Sequence, residues 1–290
     1  MNYTDIQTVK QTIFLRPDDA NKGTMGSLLS ICGSYGMAGA AMMAGEAALR
    51  CGLGLLKSAL PKSIYPIVAP SLPESVYFPI DETNGKISFS NLDFLLEQAD
   101  KSKAVLVGCG LGVCDDTIKL VNSLIQNCSV PMVIDADALN CVALNPDVLK
   151  SAKAPIIITP HPAEMGRLLS GVSAKTINTN RAKTAVDFSK KYNVVTVLKG
   201  SGTVIASPDG RVNINPTGNS GMATGGSGDV LAGMTSALLA QGSKPFESAV
   251  AAVYLHGLAG DIAAKKLGKI SMLPTDIIDC ISKAFLELGF

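Results

Sequence analysis

The sequence predicts an α/β fold built on a mostly parallel sheet with an antiparallel hairpin near its edge. Three observations predict it. Short apolar runs recur along the chain, each ending in Gly, Asp, His or Lys: Ser27–Cys32, Ala104–Val107, Pro131–Ile134, Pro155–Thr159 and Val194–Leu198. Runs this short and this apolar read as strands covered on both faces. Helix-like stretches such as Met37–Cys51 and Thr179–Tyr192 alternate with them, which argues for parallel βαβ units. Later in the chain, Thr203–Ala206 and Arg211–Ile214 flank Pro208-Asp209-Gly210, a hairpin turn signal.

Taken in order, the first strand ends at Gly33-Ser34 and leads into the Gly- and Ala-rich helix Met37–Cys51. The next runs end at Gly108-Cys109-Gly110, Asp135-Ala136-Asp137, Pro160-His161-Pro162 and Lys199-Gly200. In open parallel sheets ligands bind beyond the carboxyl ends of the strands, so five separate loops should meet on one rim. After the hairpin comes the Gly-rich stretch Thr217–Gly228 and a helix from Asp229 to about Gln241, stopped by Gly242. Helices over Ala249–Leu267 and Thr275–Leu288 close the chain. No linker or repeat stands out, so residues 1–290 read as one domain.

Composition excludes several classes. Apolar residues make up 47% and charged residues 17%, a globular balance. The net charge of +1 gives no footprint for nucleic acid or an anionic membrane, though a small anionic ligand needs only a local pocket. The seven cysteines form no C-x-x-C pair and only two histidines accompany them. Reduced thiols in a cytoplasmic protein fit that pattern better than a disulfide framework or a zinc site. Met1–Thr12 lacks the apolar run of a signal peptide. The most membrane-like stretch, Gly36–Leu56, carries Glu46 and Arg50 and reads as a tightly packed soluble helix.

The strongest local signal is Asn219-Ser220-Gly221-Met222-Ala223-Thr224-Gly225-Gly226-Ser227-Gly228-Asp229. Four glycines let the backbone approach a ligand, and the following helix offers unpaired N–H groups and the positive end of its dipole. Gly225, Gly226, Ser227 and Gly228 thus make an anion hole. Asp229 stands beside it as a general base for a substrate hydroxyl, the two needs of phosphoryl transfer. The blander reading is a capped helix after a Gly-rich connection. Neither a P-loop nor a dinucleotide fingerprint fits, because no Gly-Lys-Ser/Thr follows and no short strand immediately precedes.

Other residues divide between binding and structure. Lys199, at the end of a buried strand beside Gly200, favours phosphate contact. Asp135 and Asp137 are two apart, so in an extended segment both point to one side, which suits a divalent cation with waters. A turn-capping role competes with that. His161 sits on the rim, whereas His256, among apolar residues of a helix, reads as core packing. Cys109 reads as a small packing residue, and Met37, Met42 and Met43 as core filling.

The string Gly225-Gly226-Ser227-Gly228-Asp229 resembles the anion-hole and catalytic motif of the ribokinase-like superfamily, whose fold is a three-layer α/β/α sandwich. Within it the chain is similar to the ADP/ATP-dependent NAD(P)H-hydrate dehydratases from about Lys22 to Ala263. The matching segments are Gly33–Ala40, Ala47–Gly54, Gly108–Gly112, Asp135–Asn140, Thr159–Met165 and Lys199–Thr203. Cys109, Ala163, Ser220 and Asn21 depart from the family pattern, and none of them removes a proposed catalytic group.

That resemblance implies roles. Asp229 would be the catalytic base. Ala40, Gly110, His161 and Asp229 would line the pocket for the hydrated nicotinamide. Lys199, Gly200, Ser201, Gly202 and Thr203, with Gly228, would contact the nucleotide, and Asp135, Asp137 and Asn140 lie where magnesium and phosphate would sit. The implied reaction is ADP-dependent dehydration of the S epimer of hydrated NADH or NADPH, with Mg2+ as cofactor and AMP and phosphate as products. A homotetramer and a separate epimerase partner are also implied, since the chain leaves no room for an epimerase domain. Two rivals stay open: a kinase for a vitamin-precursor alcohol on the same fold, and a non-catalytic nucleotide sensor.

Overall fold

The apolar runs become strands of one ten-stranded sheet in the computed structural model, which describes residues 2–290. The strands, in chain order, are β1 (Asn2–Tyr3), β2 (Ser27–Ile31), β3 (Leu55–Pro61), β4 (Val76–Ile80), β5 (Glu82–Thr83), β6 (Lys86–Ile87), β7 (Ala104–Val107), β8 (Met132–Ile134), β9 (Ile156–Ile158), β10 (Val195–Leu198), β11 (Val204–Ala206) and β12 (Val212–Ile214). Their order across the sheet is β1-β12-β11-β10-β9-β8-β7-β2-β3-β4, and β5 and β6 form a separate small hairpin. From β10 to β4 every pairing is parallel. The β11–β12 pairing is antiparallel, as the turn at Pro208-Asp209-Gly210 predicts, and the β10–β11 pairing is antiparallel too.

Helices cover both faces, and the strand alternation decides which residue faces which layer. Leu28, Leu106, Val133, Ile157 and Val197 point into one core. That core is closed by the helices Ala38–Arg50, Ser227–Ala240, Pro245–Leu267 and Pro274–Glu287. Their neighbours Leu29, Ile31, Val105, Ile134, Ile158 and Leu198 point into the other. Helices Leu92–Asp100, Asp115–Asn127, Ala136–Val142, Pro162–Leu168 and Arg181–Tyr192 close that side. Each strand is therefore apolar at successive positions, which is why the runs lack alternation. Helix Ser227–Ala240 packs between the sheet and its outer neighbours, and nearly all of it is buried. Among the described residues, no helix is long and apolar enough to cross a membrane.

The sequence pattern missed β3 and β4. Lys57 and Ser58 interrupt the apolar run of β3. Lys57 is nonetheless buried, because its ammonium donates to the Lys101 carbonyl (2.6 Å) and to Ser102 Oγ (3.1 Å). Only the fold supplies those partners. β4 contains Pro79 and lies at the sheet edge, where a missing N–H is tolerated. The predicted helix Thr179–Tyr192 starts two residues later, at Arg181, because Asn180 leaves the helical region to cap it, and Thr179 instead ends a separate short helix, Ala174–Thr179.

Candidate active site

The Gly-rich stretch and the helix behind it set one side of the site. The helix begins at Ser227, two residues earlier than expected, after Gly226 at φ +101°. No side chain caps it, so the amides of its first turn are left to a ligand. Asp229 lies in that first turn and does not act as the cap. Burial, reinforced by the nearby Asp135 carboxylate, pushes its carboxyl up to about 6, against the opposing pull of Cys109 and Lys199. Near neutral pH it is still mostly ionised, and its proton affinity suits a general base.

Strand ends set the other side. Asp135, at the end of β8, is 1% exposed. Its Oδ1 accepts from Thr159 Oγ1 (2.6 Å) and from Lys199 Nζ (2.9 Å), so β8, β9 and β10 are tied together at their carboxyl ends. Lys199 Nζ also lies 3.8 Å from Glu164 Oε2. Burial alone would pull the Lys199 ammonium down, but the two carboxylates outweigh it and hold it above its ordinary range. Glu164 is pushed up to about 7 by burial. Its Oε2 accepts from the His161 backbone N–H (2.7 Å), and its Oε1 lies 3.5 Å from His161 Nε2. The His161 Nδ1 accepts from the amides of Ala163 and Glu164, which leaves the proton on Nε2. Burial and Lys199 hold His161 below its usual range and therefore neutral.

The two sides meet. The Cys109 thiol and one carboxylate oxygen each from Asp135 and Asp229 lie within 4.8 Å of one another. Beside them opens a cavity of about 740 Å³. His161, Lys199 to Thr203 and Gly225 to Gly228 all stand on its wall, together with the 215–220 loop. Asp229, Ala40 and Gly110 do not line it. Ala40 and Gly110 are buried and packed against each other: Gly110 takes φ +61°, and a methyl group there would sit 2.8 Å from the Ala40 Cβ and 2.9 Å from that of Met37. Ser34 Oγ holds the Gly110 carbonyl at 2.7 Å.

Two expectations need correction. Asp135 and Asp137 do not project from one strand toward one cation. The chain leaves β8 after Ile134, Ala136 takes φ +50°, and Asp137 falls in the first turn of helix Ala136–Val142. There it accepts from the Gly112 amide (2.8 Å) and from Asn140 Nδ2 (3.3 Å), the turn-holding role. Asp135 faces Cys109 and Asp229 instead. Of that cluster a hard cation would take the carboxylate oxygens, whereas the Cys109 thiol, held protonated by burial and its neighbours, is a poor ligand. His256 is the second correction. It is buried, yet it reaches the cavity wall with Nε2 3.4 Å from Ser227 Oγ. Burial pulls it down to about 4, so it is neutral. An apolar helical pattern carries no signal of that contact.

Comparisons with known proteins place the chain in a family. The model of the NAD(P)H-hydrate dehydratase family matches residues 28–283. A bifunctional NAD(P)H-hydrate repair enzyme of Moorella thermoacetica is 43% identical over 91% of the chain and 50% of its own length. The chain spans about half the length of most of the curated relatives it matches. An ADP-dependent (S)-NAD(P)H-hydrate dehydratase of Neisseria meningitidis is 36% identical over 87% of the chain and 82% of its own length. The crystal structure of an ADP/ATP-dependent NAD(P)H-hydrate dehydratase from Bacillus subtilis, co-crystallised with ATP and Mg2+, superposes with a TM-score of 0.85 at 30% identity, covering 99% of both chains. A hydroxyethylthiazole kinase of Pyrococcus horikoshii (14% identity, TM-score 0.62) shares the fold.

Proposed function

Because the chain belongs to the NAD(P)H-hydrate dehydratase family, we propose that it uses an adenine nucleotide to dehydrate the S epimer of hydrated NADH or NADPH. The observation that carries the reading is Asp229: a partly buried carboxylate in the first turn of an uncapped helix, beside a cavity whose wall carries the Gly225–Gly228 loop and Lys199.

Asp229 takes the proton from the hydroxyl on the hydrated ring carbon. That oxygen attacks the terminal phosphorus of the nucleotide while the amides of Gly226 to Gly228 and Lys199 stabilise the developing charge. The phosphate ester then breaks its C–O bond. The ring nitrogen lone pair supplies the electrons, a ring proton is lost, and NADH or NADPH forms with inorganic phosphate. With ADP as donor the other product is AMP. Magnesium would be held by the Asp135 carboxylate with phosphate oxygens of the nucleotide, and would neutralise phosphate charge when bound. ADP as preferred donor, a tetrameric state, cytoplasmic location and a functional pairing with an epimerase belong to the same proposal. The bifunctional relatives favour the pairing.

The test is recovery of the near-ultraviolet absorbance of reduced nicotinamide from hydrated NADH with magnesium and either ADP or ATP. Recovery with one nucleotide, abolished in Asp229→Asn, supports the reading and identifies the donor. A stable phosphorylated alcohol formed from a thiazole or pyrimidine substrate, with no absorbance recovery, replaces it by the kinase. Nucleotide binding with no turnover of either kind replaces it by the sensor.

A further inference from the structure

The loop from Lys199 to Thr203 joins β10 to β11 and stands along the cavity wall. It is closed on one side by its own residues: Thr203 Oγ1 donates to the Gly200 carbonyl (2.9 Å), and the Gly200 amide lies 3.3 Å from the same hydroxyl. The Ser201 carbonyl at its tip is taken by a side chain from elsewhere, an Nη2 N–H of Arg181. The contact is closest at Gly200. Gly200 takes φ +146°, and a methyl group on it would overlap Arg181 Nη1, while one on Gly202 would sit 3.8 Å from Nη2.

Arg181 is well placed to hold this loop still. It opens helix Arg181–Tyr192, which Asn180 caps by accepting from the Lys183 amide. That helix is fastened to the sheet on both sides of the loop. Ser189 Oγ donates to Thr196 Oγ1 of β10 (2.8 Å) and lies 3.2 Å from the Ala206 carbonyl of β11. The guanidinium is half-buried, and none of the ion pairs among the described residues includes it. Its charge is therefore directed to a carbonyl dipole and not to a carboxylate. Arg181 does not itself line the cavity.

We propose that Arg181 is a positioning residue for the nucleotide: it holds the Gly200–Gly202 backbone from behind in the shape that receives ADP or ATP, and it does not touch the reacting atoms. The inference rests on the functional reading above. It separates two properties that a general structural role would change together. Nucleotide affinity depends on Arg181, while the chemistry at Asp229 and the packing at Ala40 and Gly110 do not.

The experiment is calorimetric titration of ADP with magnesium into the intact protein and its Arg181→Ala and Arg181→Lys variants, followed by steady-state kinetics against both substrates. Loss of one charge-assisted hydrogen bond predicts about ten-fold weaker ADP binding and a matching rise in nucleotide KM for Arg181→Ala. The kcat at saturating nucleotide and the KM for hydrated NADH should stay at their original values. Arg181→Lys keeps a cation without the planar fork and should recover part of the affinity. Unchanged ADP affinity in Arg181→Ala overturns the inference while leaving the dehydratase reading intact. So does a parallel fall in kcat, both affinities and melting temperature. If the unaltered protein binds no adenine nucleotide, the functional reading falls and this inference falls with it.

Discussion

The two sides of the site are built from opposite materials. On the strand-end side the working groups are side chains: Asp135, Thr159, Lys199, Glu164 and His161 form one connected set anchored on β8, β9 and β10. On the helix side they are mostly backbone, the Gly225–Gly228 loop and the uncapped first turn, with Asp229 as the one carboxylate. The difference follows from cost. A charge removed from water must be paired and held still, so it belongs at the ends of buried strands. Amides carry no such penalty and can be left open for an anion. Asp229 is the exception: it is partly withdrawn from water and stands near another carboxylate, Asp135, which is why its proton affinity rises.

Substitutions on the two sides should therefore fail in different ways. The largest effect is expected at Asp229. Asp229→Asn should lower kcat by about 10²- to 10⁴-fold with ADP binding retained, checked by turnover and calorimetry. A variant with near-normal turnover would break the assignment of the base to the helix side. Next, Lys199→Ala leaves Asp135 buried without its cation and should cost about 3–5 kcal/mol of stability in a denaturant titration. Asp135→Asn in the same chain should return part of that loss. If the single variant unfolds like the parent, the strand-end side is not held by its charges.

The third effect separates stability from activity. The folded carboxyl of Asp229 stands at about 6 against an ordinary 3.8. A raised carboxyl means that the folded state binds the proton more tightly than the unfolded chain does. Its contribution to stability is thus present at low pH and is lost as pH rises through the folded value. Above pH about 7 the charge costs roughly 3 kcal/mol, so Asp229→Asn should be more stable there by an amount of that order. The difference should vanish below about pH 4 in paired melting curves. The same titration should make kcat/KM of the parent fall as pH drops through about 6. A variant no more stable than its parent at high pH would show that Asp229 is solvated and not strained. The smallest effect is expected at Gly110, where Gly110→Ala crowds Ala40 and Met37. It should weaken hydrated-nicotinamide binding by about 1–3 kcal/mol while ADP affinity stays put. Loss of both affinities together would mean that Gly110 shapes the nucleotide cavity as well.

Much of this was legible along the chain. The runs at Ala104–Val107 and Val195–Leu198, and the hairpin around Pro208-Asp209-Gly210, are visible because each is a local pattern. β3 was not, since burial of Lys57 depends on Lys101 and Ser102, more than forty residues away. In the site, the Gly-rich string and Lys199 announce themselves. His256 and Arg181 do not, because one lies in an apolar helix and the other among ordinary helical polar residues.

The sequence by itself determined that β2 and β7 to β10 are strands covered on both faces, where their carboxyl ends fall, and that Asp229 adjoins a Gly-rich loop. Those are consequences of residue type and spacing over a few turns of chain. Only the tertiary structure decided who faces whom: that Asp135 turns to Lys199 and Asp229 while Asp137 turns away to Gly112, and that Arg181 reaches the Ser201 carbonyl. The reason is the positive φ at Ala136 together with the side-by-side order of β8, β9 and β10. A single backbone turn reverses a side chain, and neighbours in a sheet are set by crossovers, neither of which local spacing encodes.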